Sequence, residues 1–218
     1  MILSMRPGSL TVALVAALAL SACAPQGDED PMPKPTATRT VVTTAAVPLP
    51  RLPHHVVGWP APPLTVDDNE IHVGSRTIDV SPLRADMAVS TRGGIYFLNA
   101  GELWFLDEHG AVGTGFARMR RIAVSADGRY LGLIDRTHGP VTDDGPHVAR
   151  VVVYDTTTGR PVLHSRVGMG AGPGRDLRQV YEADPPTIIG FEGDALVAAT
   201  PKGRYAYPIS GAAPRLQQ

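Results

Sequence analysis

The chain has 218 residues, a formal charge of −1 at pH 7, 6% aromatic residues and a single cysteine. Near-neutral charge supplies no basic field against phosphates and few aromatics supply few stacking platforms, which excludes a nucleic-acid-binding role. One cysteine excludes an intrachain disulfide, so the fold must rest on its apolar core, and the length suits one sizeable core or a smaller core with tails.

In chain order, Met1 to Ala22 reads as an export signal. Arg6 supplies the positive start, and Leu10 to Leu20 is an apolar run with Thr11 its one polar residue, too short for a bilayer-spanning helix, which needs about 20 residues. Leu20-Ser21-Ala22-Cys23 resembles the lipobox of bacterial lipoproteins: an apolar residue, two small ones, then cysteine. The resemblance implies cleavage before Cys23 and transfer of a diacylglyceryl group, with its palmitate-type chains, onto its thiol. Two or more chains, at about 0.8 kcal/mol per buried methylene, make a stable anchor. The expectation is a protein held at the extracytoplasmic face of the cell membrane through Cys23.

Residues 23–50 follow as a tether. Asp28-Glu29-Asp30 opens it, and a Pro/Thr/Ala stretch runs to Pro48 and Pro50 without apolar periodicity. Such a composition buries too little surface to offset ordering entropy and favours extended polyproline-like conformers. Threonines beside prolines are acceptors for O-glycans in some organisms. Residues 51–218 are the expected folded domain. It begins with His54-His55 and Trp59-Pro60, the histidine pair reading as a surface feature.

From residue 69 onward, short runs rich in Val, Ile, Leu and Tyr alternate with Gly and Pro punctuation, which is strand composition. "RRIAVSADGRYLGLID" is two strands joined at Asp127-Gly128, and "RVVVYDTTTGRPVLHSRV" two more joined by Asp155 to Gly159. Aspartate can hold turn amides while glycine takes the left-handed position. "GELWFLDEHGAVGTGF", "ALVAATPKGRYAYPI" and "NEIHVGSRTIDV" repeat the second hairpin around Gly110, Gly203 and Gly74. The turn glycines Gly74, Gly110, Gly159 and Gly203 lie 36, 49 and 44 residues apart, a period suited to four-stranded units. The first and last units lack strands at opposite ends, which would allow the termini to close a ring.

The pattern Ser-x-Asp-Gly, two strands, Asp-x-x-x-Gly in "VSADGRYLGLID…VVVYDTTTG" resembles the repeat of WD40-like and related bacterial β-propellers. The resemblance implies an all-β fold of three to four antiparallel meanders arranged as blades, the set incomplete; a β-sandwich is the alternative. It leaves open a small ring, an open fragment or half of an oligomer, and it says little about function.

Candidate chemistry is sparse. The loop Arg136 to Ala149 carries His138, Asp143, Asp144 and His147, whose nitrogens and oxygens suit a divalent metal, although its Gly and Pro residues equally mark a long hairpin loop. It is the expected binding feature. "GMGAGPGR" (168–175) has neither G-x-G-x-x-G nor G-x-x-x-x-G-K spacing and no good helix after it, so it reads as a connection between units. Ser125 lies outside G-x-S-x-G and reads as a turn residue; Trp104 and Phe105 read as core. No catalytic, cofactor or resident metal set is expected. The leading functional expectation is a lipid-anchored, non-enzymatic binding or scaffold protein with a protein or cell-wall partner. The alternatives are a cell-envelope hydrolase or metal-dependent enzyme using the 136–149 loop, and a structural or sensory lipoprotein binding wall glycan.

Overall fold

A computed structural model describes residues 47–107, 109–142 and 145–217. The export signal, Cys23, the tether up to residue 46, Asp143 and Asp144 lie outside the described residues.

The chain is all-β, with fifteen strands in four antiparallel meanders and one short helix among the described residues. Sheet 1 holds β1 (Leu64–Asp67), β2 (Glu70–Val73) and β3 (Arg76–Asp79). Sheet 2 holds β4 (Met87–Thr91), β5 (Gly94–Asn99), β6 (Glu102–Asp107) and β7 (Gly110–Gly113). Sheet 3 holds β8 (Ala123–Val124), β9 (Tyr130–Asp135), β10 (Arg150–Asp155) and β11 (Arg160–Ser165). Sheet 4 holds β12 (Thr187–Glu192), β13 (Ala195–Thr200), β14 (Gly203–Pro208) and β15 (Arg215–Leu216). Each sheet follows chain order. Contacts run from β1 to β4, from β4 to β8, and from β8 and β9 to β12, so the sheets fan out from neighbouring first strands.

Continuous apolar runs in the middle of the fan are shared between two cores, as expected for strands buried on both faces. In β9 and β10, Leu131, Leu133, Val152 and Tyr154 face sheet 2, where they meet Tyr96, Leu98, Leu103 and Phe105. Their neighbours Ile134, Val151 and Val153 face sheet 4 and pack on Ile188, Leu196 and Ala198. A third cluster between sheets 1 and 2 holds Ile71, Val80, Ala85, Phe97 and Leu106.

Sheet 1 ends the fan because only one of its faces is apolar. The register pairs Thr65 with His72, His72 with Thr77, and Glu70 with both Asp67 and Asp79, placing these polar residues together on the far face. A solvated polar face needs no cover. The four meanders accordingly do not close into a ring; of the arrangements the repeat left open, the chain has the open one.

The missing strand of sheet 1 is its first. The Gly74 turn shares a cavity with Thr91 and Gly94. The Asp68–Asn69 turn lies at the opposite end, where the Asp68 carbonyl accepts the Ala85 amide and the Arg84 amide donates to Asn99. By direction, β1 to β3 therefore match the last three strands of sheets 2 and 3. Gly74, Gly110 and Gly159 occupy equivalent turns, but Gly203 joins the second and third strands of sheet 4, one turn out of phase. Sheet 4 also has the late strand that its sequence pattern lacked: β15 pairs through Leu216 and Arg215 with β14. Only two residues long, it carries no periodic signal.

Two segments plug the fan. Residues 47–57 form a strap along sheets 2 and 3: Arg150 donates to the Val47 carbonyl at 3.2 Å, Tyr154 to Pro50 at 2.8 Å and Tyr96 to Pro53 at 2.6 Å. Leu52 is 1% exposed in the core between those sheets. Residues 47–50 thus belong to the packed domain, although their composition matches the tether. Between sheets 3 and 4 sits α1 (Leu177–Ala183), which buries Leu177, Val180 and Tyr181 and is capped by Asp176 accepting the Arg178 amide. This helix follows the 168–175 glycine segment, where the sequence offered no helical signal. At two turns its apolar face is too short to establish a period.

Candidate functional site

At the end of the fan that carries the Gly74 and Gly94 turns, the chain builds a groove. It is bordered by the turn Thr91 to Gly94, whose Gly94 lines it. The Thr91 hydroxyl donates to the Gly94 carbonyl at 2.8 Å and accepts the Gly93 amide at 3.1 Å. Sheet 3 braces this turn, since the Arg92 amide and Nε donate to the carbonyls of Gly128 and Asp127, each at 2.7 Å. The strap braces it from the other side: the His55 and Val57 amides donate to the carbonyls of Gly93 and Arg92 at 2.7 and 2.8 Å. Glycine is required at position 93, where a Cβ would stand 1.9 Å from the Thr156 carbonyl oxygen.

The groove encloses about 960 Å³. Arg51, His54, His55 and Val57 of the strap form one side, Arg76 and Ile78 of β3 the other, and Ile95, Phe105 and the Asp107–Thr114 hairpin the floor. A second cavity of about 540 Å³ shares Val57, Arg76, Ile78, Gly94 and Ile95 with it and extends along Trp59 to Pro62. Ser90, whose buried hydroxyl has no hydrogen-bond partner among the described residues, lines that extension. Two guanidinium groups and three histidines, including His109, stand against one carboxylate among the described lining residues. That carboxylate, Asp107, already accepts the His109 amide at 2.7 Å. The groove thus combines positive charge with aliphatic surface.

The 136–149 loop is organised differently. Asp135, fully buried, accepts the Arg150 Nε at 2.8 Å, the His138 Nδ1 at 3.1 Å, and the amides of Thr137 and His138 at 2.9 and 3.1 Å. Burial pushes its carboxyl pKa up, but those amides, Arg150 and His138 more than offset this and hold it below the ordinary value. His138 also packs edge-on against Phe116, with ring centroids 5.0 Å apart. His147 donates from Nδ1 to the Gly139 carbonyl at 2.6 Å, and Val141 bridges to His147. His138 and His147 therefore each bond within the loop and its base. Among the described residues no group of three or more His, Cys, Asp or Glu side chains could hold a metal ion.

Other singled-out residues have local roles. The Ser125 hydroxyl donates to Asp127 at 2.6 Å and accepts the Tyr130 amide at 2.9 Å, closing the β8–β9 turn. Asp155 accepts the amide and hydroxyl of Thr157 and a bond from Arg129. Trp104 packs toward sheet 1 and Phe105 toward sheet 3. His54 and His55, read in the sequence as a surface pair, line the groove, as do Arg51, Arg76 and His109, which no motif marked. The chain matches no known protein family, no curated protein and no solved structure with which it was compared.

Proposed function

We propose that the protein is a lipid-anchored extracytoplasmic binding module whose binding face is the groove between the strap and β3. The observation that carries this reading is the groove's construction. The strap that forms one side is the direct continuation of the segment following Cys23, so a chain tethered at Cys23 presents the groove on a domain held off the membrane. The 18 residues from Asp30 to Val47 reach up to about 3.1 Å each in extended form, enough to clear the lipid headgroups. The lining combines charge with apolar surface around a preformed cavity, the usual make-up of a ligand site.

The experiment is to express the full chain in a lipoprotein-processing bacterium, solubilise its membranes in mild detergent, and recover bound proteins after cross-linking. The expected result is a defined partner recovered with the native chain and lost with the doubly substituted Arg51→Glu, Arg76→Glu chain. A native chain that never enters the membrane fraction, or the same partners with both chains, would overturn the proposal.

A further inference from the structure

β3 is an edge strand that lines the groove through its alternate residues Arg76 and Ile78, and the two together point to a specific kind of occupant. β3 is the last strand of sheet 1, so among the described residues its outward backbone amides and carbonyls have no neighbouring strand. Arg76 pairs with Val73 and Ile78 with Ile71 across the ladder, which puts both on the face turned to the groove. The last strands of the other sheets lack this arrangement: neither cavity is lined by β11 or β15, and β7 contributes a floor rather than a side. An exposed edge pairs with an extended chain, taking affinity from main-chain hydrogen bonds and selectivity from alternate side chains.

We infer that the groove takes an extended acidic peptide segment of a partner protein, added as a fourth strand on β3. The inference rests on the groove being the binding face, as proposed above. Residues two apart on a strand lie on one face about 6.8 Å from each other. A carboxylate opposite Arg76 and an aliphatic side chain opposite Ile78, two positions apart in the peptide, match the sheet residue for residue. Arg51 on the facing strap supplies a second positive charge. Asp107 is the one described carboxylate in the lining and is engaged with the His109 amide, so the charge balance favours an anion.

The probe is the fluorescein-labelled peptide Thr-Glu-Thr-Val-Thr-Glu-Thr-Val, titrated into the full chain in detergent micelles and read by anisotropy. Saturable binding is expected, weakening as salt rises, at least tenfold tighter than for the peptide with Lys in place of Glu. Arg76→Glu should reverse that order, and Arg76→Gln should abolish the preference; circular dichroism on each variant verifies the fold. Two further peptides carry N-methyl groups on alternate amides in complementary sets. One set must lose at least tenfold, because it blocks the bonds to β3, while the other stays within about twofold. Absence of binding, equal binding of the Glu and Lys peptides, or indifference to both methylated sets would overturn the inference. So would retention on peptidoglycan abolished by Arg76→Glu without any peptide binding, a result that would leave the groove as the binding face.

Discussion

The Tyr154 hydroxyl donates to the carbonyl of Pro50, 2.8 Å away and 104 positions earlier in the chain. Through this bond, and those of Tyr96 and Arg150, a proline-rich segment without secondary structure becomes part of the core. Leu52 is the anchor, so Leu52→Ala should cost about 2–5 kcal/mol, the range for emptying a well-packed site. Tyr154→Phe should cost about 1 kcal/mol. Urea unfolding of the full chain, followed by tryptophan fluorescence, measures both. A cost for Leu52→Ala below that of Tyr154→Phe would mean the strap is not seated as described.

The Asp135–Arg150 pair predicts a defined acid response. Replacing Asp135 with alanine leaves a buried guanidinium uncompensated and should cost about 3–5 kcal/mol. Because the Asp135 pKa lies lower in the folded than in the unfolded chain, its contribution is fully present above the unfolded value near 3.8. It is lost as the pH falls through the depressed folded value. Asp155 is lowered as well, by Thr157 and Arg129 against the opposing effect of burial, and adds to the same limb. Stability measured from pH 6 down to pH 2 should fall less steeply in Asp135→Asn than in the native chain.

Two glycines test how closely the sheets approach. A Cβ at Gly132 would lie 2.5 Å from Leu196 Cδ1 across the sheet 3–sheet 4 interface, whereas at Gly93 it would meet the Thr156 carbonyl oxygen. The leucine can shift and the backbone carbonyl cannot. Gly93→Ala should therefore destabilise more than Gly132→Ala, with both in the overpacking range of about 1–3 kcal/mol or beyond. Thermal unfolding ranks them.

The anchor is tested without reference to the fold. Cys23→Ala should shift the protein from the detergent phase to the aqueous phase of a Triton X-114 separation and remove labelling by an alkynyl palmitate analogue. The circular dichroism of the domain should stay unchanged.

The hairpins were legible because each is a local agreement of residue types. Asp127-Gly128 and Asp155 to Gly159 close their turns with the bonds that their side chains suggest, and "VVVY" and "YLGLID" signal burial on both faces. Alternation in "LTVD", "EIHV" and "RTID" likewise carried the information that sheet 1 has one wet face. The strap was not legible, since Leu49 and Leu52 between prolines follow no period and their partners Tyr154 and Gly159 are about a hundred residues away. Nor was the groove: Arg51, Arg76 and His109 are ordinary surface residues until the fan places them around one space, while the more conspicuous His138 and His147 bond within their loop.

By itself, then, the sequence determined the strand class, the turns and an expected address at Cys23, because these depend on residues within a few positions of one another. The tertiary structure alone decided that the four meanders stay open, which segment plugs each interface and where a groove forms. Those outcomes depend on how the sheets are placed against one another and on contacts between distant segments; a local pattern marks which residues of one strand are polar, not what the other sheets do with that face.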